Sequence, residues 1–242
     1  MIVGRGLIAR ALKILDARDI VFYANGISNS VMDQFEKNNF EIKQLEAIAN
    51  DYPDILFIYF STCQLNSERN HSRPYVKHKL FIEDFISKNF KDYVIIRTSN
   101  LVGFNPWNTH TLFNYLNHAL AVNQLILVNP VLTRNFLDVD HFVSLLNVYL
   151  KKYTKNKIVE IVHPLSFSMQ EIINDFEKFF GKKFILEKVC DSNDFAWFEI
   201  NPKLSLELIK QSDLSFDNHI TALLEKYYTV DSIERRLLKI NR

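Results

Sequence analysis

The sequence is short of glycine. Five occur in 242 residues, at positions 4, 6, 26, 103 and 181, where average usage of about 7% would place roughly 17. A chain this sparing keeps glycine where the backbone needs it, and two of the five stand two residues apart near the start. Cysteine is scarcer still. Cys63 and Cys190 alone build no disulfide framework, so a reducing, cytoplasmic setting is expected. Neither sign of charge is in excess: 29 Lys and Arg face 28 Asp and Glu, for a net charge of +1. That removes the electrostatic basis for general nucleic-acid binding. No apolar run reaches the roughly 20 residues of a membrane helix, so no membrane association is expected, and Met1-Ile-Val-Gly4 lacks the layout of a signal peptide. The seven histidines show no metal-ligand spacing, so no metal is expected. His71 and His78, which flank a helix considered below, are given no direct role.

What is present is ordinary in bulk and specific in order. Hydrophobic residues make up 48% and charged residues 24%, a globular balance that excludes a disordered chain. Met1 to Val3 reads as a stub of strand, and Leu7 to Leu15 as a helix with Leu7, Ile8, Ala11, Leu12 and Leu15 on one face. Asp19 to Ala24 and Ile55 to Phe60 are continuous apolar runs, of the kind buried on both faces of a parallel sheet. Between them the cap-type residues Ser28, Asn29 and Ser30 precede a helix over about 30–50. A third helix spans about 74–89, opened by Pro74 in the position proline tolerates, and Tyr93 to Thr98 is a further strand. This alternation is the signature of an α/β doubly wound parallel sheet. Beyond residue 98 the pattern loosens. Helices are expected over 111–122, 138–153, 168–180, 203–211 and 217–240, with strands over 125–128, 157–162 and 184–189.

Gly4-Arg-Gly-Leu-Ile-Ala9 fits G-x-G-x-x-G/A between a strand and a helix, the context in which that motif binds a dinucleotide. Gly4 would permit the tight turn. Gly6 would let a pyrophosphate approach the helix N-terminus, where free N–H groups and the helix dipole favour anions. Ala9 would keep the helix close to the sheet. The plain alternative is a tight strand–helix turn with no ligand. The carboxylate that should hold the adenosine ribose about 20 residues on is missing, since the second strand ends in Ala24-Asn25-Gly26. Asn25 or Ser28 could hydrogen-bond a ribose. Arg5 and Arg10 fit either a 2′-phosphate or an ordinary charged surface.

Tyr75 and Lys79 lie at i, i+4 on one helix face. A lysine ammonium beside a phenol favours phenolate, which suits tyrosine to acid–base work near neutral pH. With 10 Tyr and 19 Lys such a pair arises about once by chance, and Tyr153 with Lys157 is a second instance. Context separates the two. Tyr75 opens a helix shortly after a strand ending in Ser61-Thr62, and the carboxyl ends of parallel strands are where such folds bind ligands.

In these residues the chain resembles the extended short-chain dehydrogenase/reductase family, specifically its NAD-dependent nucleotide-sugar epimerases, dehydratases and reductases. Gly4 to Ala9 is similar to the family's phosphate-binding turn, and Phe60-Ser-Thr-Cys-Gln64 to its active-site strand end. Tyr75 and Lys79 fall on its Y-x-x-x-K. Ile96 to Gly103 and Arg134 to Asp140 resemble segments that meet the nicotinamide and the substrate. The resemblance implies a Rossmann-type nucleotide-binding core over 1–103 and about 134–163. It implies a small substrate cap over about 104–133 and 164–242, the two forming one compact unit. It implies Thr62, Tyr75 and Lys79 as catalytic residues. Gly4, Gly6, Leu7, Ile8, Ala24, Asn25, Gly26, Tyr75 and Lys79 would bind NAD or NADP, and Thr62, Cys63, Asn100 and Arg134 the substrate. Cys63 reads as a small apolar lining residue or, less simply, a nucleophile, and Trp107 and Trp197 as residues of a cap pocket. It further implies a homodimer through the helices of about 30–50 and 74–90, the latter carrying Leu80, Phe81, Phe85 and Ile86.

The chain also departs from that family. Two strands that should lie between the glycine turn and Asp19 to Ala24 are missing. The Asp-Glu pair that follows the catalytic threonine in dehydratases is Cys63-Gln64 here, which disfavours elimination. The expected function is therefore epimerisation or keto-reduction of a nucleotide-activated sugar in bacterial surface polysaccharide synthesis. The alternative is a non-catalytic binding or scaffold protein descended from such an enzyme.

Overall fold

A computed structural model describes residues 1–15, 19–26, 35–105, 111–189 and 198–229, with 35–38 described by their backbone alone. Ser28, Asn29, Ser30, Trp107, Cys190 and Trp197 lie outside the described residues. Five parallel strands form the central sheet. They are β1 (Ile2–Val3), β2 (Ile20–Tyr23), β3 (Leu56–Thr62), β4 (Tyr93–Thr98) and, much later in the chain, β9 (Lys157–Ile161), in the order β1-β2-β3-β4-β9. This is the expected α/β sheet of Rossmann type.

The continuous apolar runs are explained by cover on both faces. On one face Val21, Tyr23, Phe57, Tyr59 and Ile95 pack against Leu45 and Ile48 of α2 (Phe35–Asp51) and Ile82 and Ile86 of α3 (Pro74–Asn89). On the other, Phe22, Ile58, Phe60, Val94 and Ile96 pack against Leu12, which follows α1 (Leu7–Ala11), and against α5 (Val139–Leu150) through Phe142, Val143 and Leu146. The strands β1, β2 and β3 step across the sheet in one direction, yet the α1 and α2 connections lie on opposite faces. They are therefore of opposite hand, and one runs against the right-handed rule that parallel units follow in about 98% of cases.

The remaining elements form a cap. Helices α4 (Leu112–Val122), α6 (Met169–Phe180) and α8 (His219–Tyr227) bury Phe113, Leu116, Ile172, Phe176, Ile220 and Leu224 in one cluster. The parallel ribbon of β6 (Leu125–Val128) and β11 (Ile185–Lys188) packs on it. By contrast α7 (Lys203–Ile209), expected in the cap, joins the sheet side through Leu204 and Leu208. Two short pairings were not expected from the sequence. One is β5 (Asn100–Val102) with β8 (Phe136–Asp138), the other β7 (Thr133–Arg134) with β10 (Phe167–Ser168).

Core and cap meet at three histidines. His163 follows β9 and its ring centroid lies 4.1 Å from that of His219, which lies 6.4 Å from that of His141. Burial pushes His163 down to about 4 and His219 to about 3, and lowers His141. The rings are neutral in the fold, whereas unfolded histidine takes up a proton near pH 6.5. The stability they support is full above that pH and erodes as pH falls towards 4. Urea unfolding at pH 7.5 and at pH 5 should differ by about 2 kcal/mol for each of His163 and His219. His219→Phe should flatten the profile; a wild-type profile already flat over this range would mean that the rings protonate within the fold.

Candidate active site

A cavity of about 550 Å³ opens at the carboxyl ends of the sheet strands, between core and cap. Its floor comes from the glycine turn, the end of β2, the end of β3 and the start of α3. Its roof includes Phe113 and Tyr228.

The two glycines of the turn do different work. Gly4 has φ +128°, and a Cβ there would stand 2.4 Å from the carbonyl oxygen of Ala24. It is needed so that the turn can close against β2, and it does not line the cavity. Gly6 precedes α1 with φ −72°, and a Cβ there would meet nothing within 4 Å. No feature of the fold requires glycine at position 6, yet Gly6 borders the cavity with Leu7 and Ile8. Ala9 is buried under the sheet. At the end of β2, Ala24 and Gly26 line the cavity. Asn25 does not: its side-chain amide donates to Gln44 Oε1 at 2.8 Å, an oxygen that Tyr23 also holds.

Thr62 ends β3 in extended conformation, and its Oγ1 accepts from the Gln64 N–H at 3.2 Å. Tyr75 begins α3, and Thr62 is near enough to its hydroxyl to act on it. Lys79 follows one turn later at the cavity wall. The structure thus brings Thr62, Tyr75 and Lys79 together. Tyr153 and Lys157 lie at the opposite end of the sheet, where Lys157 pairs with Val94 near the start of β4.

Lys79 is not placed as the sequence leads one to expect. Its Nζ lies 6.0 Å from the Tyr75 ring centroid and donates to the Tyr59 hydroxyl at 2.6 Å. Tyr59 in turn donates to Glu41 Oε1 at 2.8 Å, and Glu41 Oε2 lies 2.9 Å from His78 Nε2. Burial pushes the Tyr75 phenol above its ordinary value, the Thr62 hydrogen bond opposes that, and Glu41 adds to it. The expected lowering by Lys79 is not among these causes. Burial also lowers Lys79, against the pull of Glu41 and Glu83. Tyr59 and Glu41 were not picked out from the sequence. Their one signal was indirect: a lysine buried in a helix–sheet interface needs an anion nearby.

Three further expectations meet the structure unequally. Asn100 borders the cavity and donates to the Asn135 carbonyl at 3.0 Å. Cys63 is fully buried with its Sγ 3.9 Å from Glu160 Oε2, and burial and that carboxylate push the thiol up. It is outside the wall and kept in its unreactive form. Arg134 sits on β7 opposite Phe167 and does not line the cavity either. Two buried polar atoms on the wall, Ser99 Oγ and Gln64 Oε1, have no hydrogen-bond partner among the described residues. Such groups are uncommon in a folded protein, and these two are placed to meet a molecule in the cavity.

These features fit part of a dinucleotide. The open space over Gly6 and the free N–H groups of the turn suit a diphosphate, and the Thr62, Tyr75 and Lys79 side suits the nicotinamide half. Among the described residues the adenosine half has no counterpart, since β1 is the edge of the sheet.

No protein-family model matches the chain, and comparison with curated proteins finds no relative. Solved structures do match. A UDP-glucuronic acid 4-epimerase from Bacillus cereus, in complex with UDP-glucuronic acid and NAD, aligns over 96% of this chain and 79% of its own at 20% identity, with a TM-score of 0.68. A UDP-glucose 4-epimerase from Stenotrophomonas maltophila with bound NAD aligns over 93% and 78% at 16% identity, TM-score 0.69. A Pseudomonas aeruginosa protein complexed with NADPH aligns over 90% and 81% at 14% identity, TM-score 0.65. At these identities the likeness establishes the fold.

The two glycines can be told apart by substitution. Gly4→Ala should destabilise by about 1–3 kcal/mol, because φ is positive and the added carbon meets backbone. For a chain of this size that lowers Tm by several degrees. Gly6→Val should melt with the wild type and lose affinity for NAD at least tenfold by calorimetry. A Gly6→Val protein that binds NAD as the wild type does would remove Gly6 from the ligand site.

Proposed function

We propose that the protein is an NAD(P)-dependent enzyme that epimerises or reduces a ring carbon of a nucleotide-activated sugar, in bacterial surface polysaccharide synthesis. The observation that carries this reading is that Thr62, at the carboxyl end of β3, Tyr75 and, one helical turn on, Lys79 line one cavity together with the glycine turn. The three neighbours above, two named as nucleotide-sugar 4-epimerases and one solved with NADPH, support it. Bound NAD or NADP supplies the hydride acceptor and donor. Tyr75 Oη moves the proton of the sugar hydroxyl, Thr62 Oγ1 holds the reacting oxygen, and Lys79 Nζ holds the nicotinamide ribose. Gly6, Leu7 and Ile8 receive the diphosphate, with Ala24 and Gly26 beside them, while Ser99, Gln64 and Asn100 meet the substrate. With β1 at the sheet edge and Asn25 committed to Gln44, the adenosine half is weakly held. Affinity is accordingly low, with little discrimination between NAD and NADP.

One observation favours the scaffold alternative: Lys79 is already hydrogen-bonded inside the protein. Mass spectrometry of what the denatured protein releases separates the two readings, because the enzyme carries a dinucleotide or binds one on addition.

We also propose the homodimer through α2 and α3. Phe40 and Phe81 are 58% and 50% exposed on these helices. Ile86, expected on that surface, is buried in the core instead. Light scattering at tens of micromolar should give twice the chain mass, and Phe81→Glu should return it to one; a wild-type monomer at that concentration refutes the dimer.

Catalysis is tested by three variants. Tyr75→Phe should lower turnover of a nucleotide sugar by about 10²–10⁴-fold with little change in dinucleotide affinity. Lys79→Met should lower both, and Tyr153→Phe neither. Turnover by Tyr75→Phe equal to that of the wild type removes the catalytic assignment, and a wild type inert towards a broad panel of nucleotide sugars with both dinucleotides favours the scaffold.

A further inference from the structure

We infer that Tyr59 and Glu41 are positioning residues for Lys79: Glu41 supplies the charge that keeps the buried ammonium ionised, and the Tyr59 hydroxyl relays it and fixes where Nζ sits. This rests on the role given to Lys79 above, and the placement itself does not.

Lys79 is 2% exposed. An ammonium in the interior is costly unless it is paired and hydrogen-bonded. Its hydrogen-bond partner at 2.6 Å is a phenol, which carries no charge. A phenol can accept from Nζ while its own proton is given elsewhere, and that proton goes to Glu41 Oε1 at 2.8 Å. Glu41 is itself 2% exposed, and its second oxygen is held by His78 at 2.9 Å. The other nearby carboxylate is committed. Glu83 takes two guanidinium N–H groups of Arg97 at 3.0 and 2.6 Å and the Ser61 hydroxyl at 2.5 Å. Glu41 is therefore the anion available to Lys79.

Gly26, which lines the cavity beside Lys79, lies against this junction. A Cβ at Gly26 would stand 2.8 Å from Lys79 Nζ, 3.1 Å from Glu41 Oε1 and 3.4 Å from the Tyr59 hydroxyl. The Tyr59 ring centroid lies 4.7 Å from Nζ, a cation–π contact that further fixes it. Around Nζ the titratable groups are Tyr59, Tyr23, Tyr75, Glu41 with His78 behind it, and Glu83 with Arg97. Of these, the Tyr59–Glu41 pair couples α2 to the catalytic helix α3 through β3.

Two variants test this. Tyr59→Phe keeps the ring and removes the relay; Glu41→Gln keeps the shape and removes the charge. The first readout needs no cofactor. In protein labelled with ¹³C-lysine, the Lys79 side-chain signal, assigned by its loss in Lys79→Met, is titrated by NMR. Its midpoint should fall by at least one pH unit in either variant. The second readout is the pH profile of turnover with NAD or NADP. Its alkaline limb should move to lower pH in both variants, because Lys79 loses its proton earlier, with kcat reduced at least tenfold and KM for the sugar little changed, which simple loosening of the fold would not produce. A Lys79 midpoint unchanged in both variants overturns the inference, as does one that falls while the activity profile stays in place. If Glu41→Gln does not fold, Tyr59→Phe carries the same two readouts with the same outcomes. A wild type that neither binds dinucleotide nor turns over sugar, with the midpoint falling as expected, refutes the enzymatic reading and leaves the anchor standing.

Discussion

A buried ammonium must find an anion, and much of the site follows from how Lys79 finds one. The ion pair is indirect, with a phenol between lysine and carboxylate. Each member comes from a different element: Glu41 from α2, Tyr59 from β3, Lys79 from α3. The cost of leaving any of these groups unpaired fixes the three elements relative to one another more tightly than their apolar contacts alone. Thr62 lies three residues beyond Tyr59 on the same strand, and Tyr75 one turn before Lys79 on the same helix. The approach of Tyr75 to Thr62 is thus set by the register that the buried charge imposes.

The second constraint is the edge of the sheet. Among the described residues strand pairing stops at β1, where the glycine turn lies. There α1 must cover its own face of the sheet while α2 covers the other and the chain keeps stepping in one direction. The result is the pair of connections of opposite hand, with Leu12 packed beside α5 to keep that face dry. Gly4 belongs to the same adjustment. Its backbone runs so close to Ala24 that no side chain fits, so the first two strands are joined as tightly as the backbone allows.

Much of this fold was legible in the sequence, and physics explains which parts were not. The strands β2, β3 and β4 carry runs of four or more apolar residues, and α3 and α6 are periodic over three turns or more; such signals survive without tertiary context. The pairings of β5 with β8 and β7 with β10 involve two or three residues each, too few to show any period. The segment Lys203–Ile209 has a clear apolar face, but which body it covers is decided by Leu208 meeting α5, a contact no local pattern encodes. In the site, Thr62 and Tyr75 were readable because chain order puts both at strand carboxyl ends. Tyr59 and Glu41 were not, because one looks like strand filler and the other like a solvent-facing helix residue. Cys63 shows the converse. Its neighbour Thr62 faces the cavity, and alternation along the chain turns the thiol away to Glu160.

Anchoring and chemistry place different demands on one ammonium, and its donor count decides whether they conflict. Lysine offers three N–H donors and no acceptor. Among the described residues one donor goes to Tyr59, behind the wall, while Lys79 itself still borders the cavity. Two donors therefore remain for the side where a ligand sits. Under the proposed function a ribose hydroxyl would take one, and a developing phenolate on Tyr75 would need the charge more than a direct bond. Coulomb attraction across about 6 Å in a protein interior still amounts to a few kcal/mol at an effective dielectric constant near 20. An ammonium tethered at its back is better prepared for both tasks than a free one, because the side-chain entropy of ordering it is already lost in the folded state. The hydrogen bond that first reads as a sign of an idle lysine is thus compatible with, and favourable to, its use.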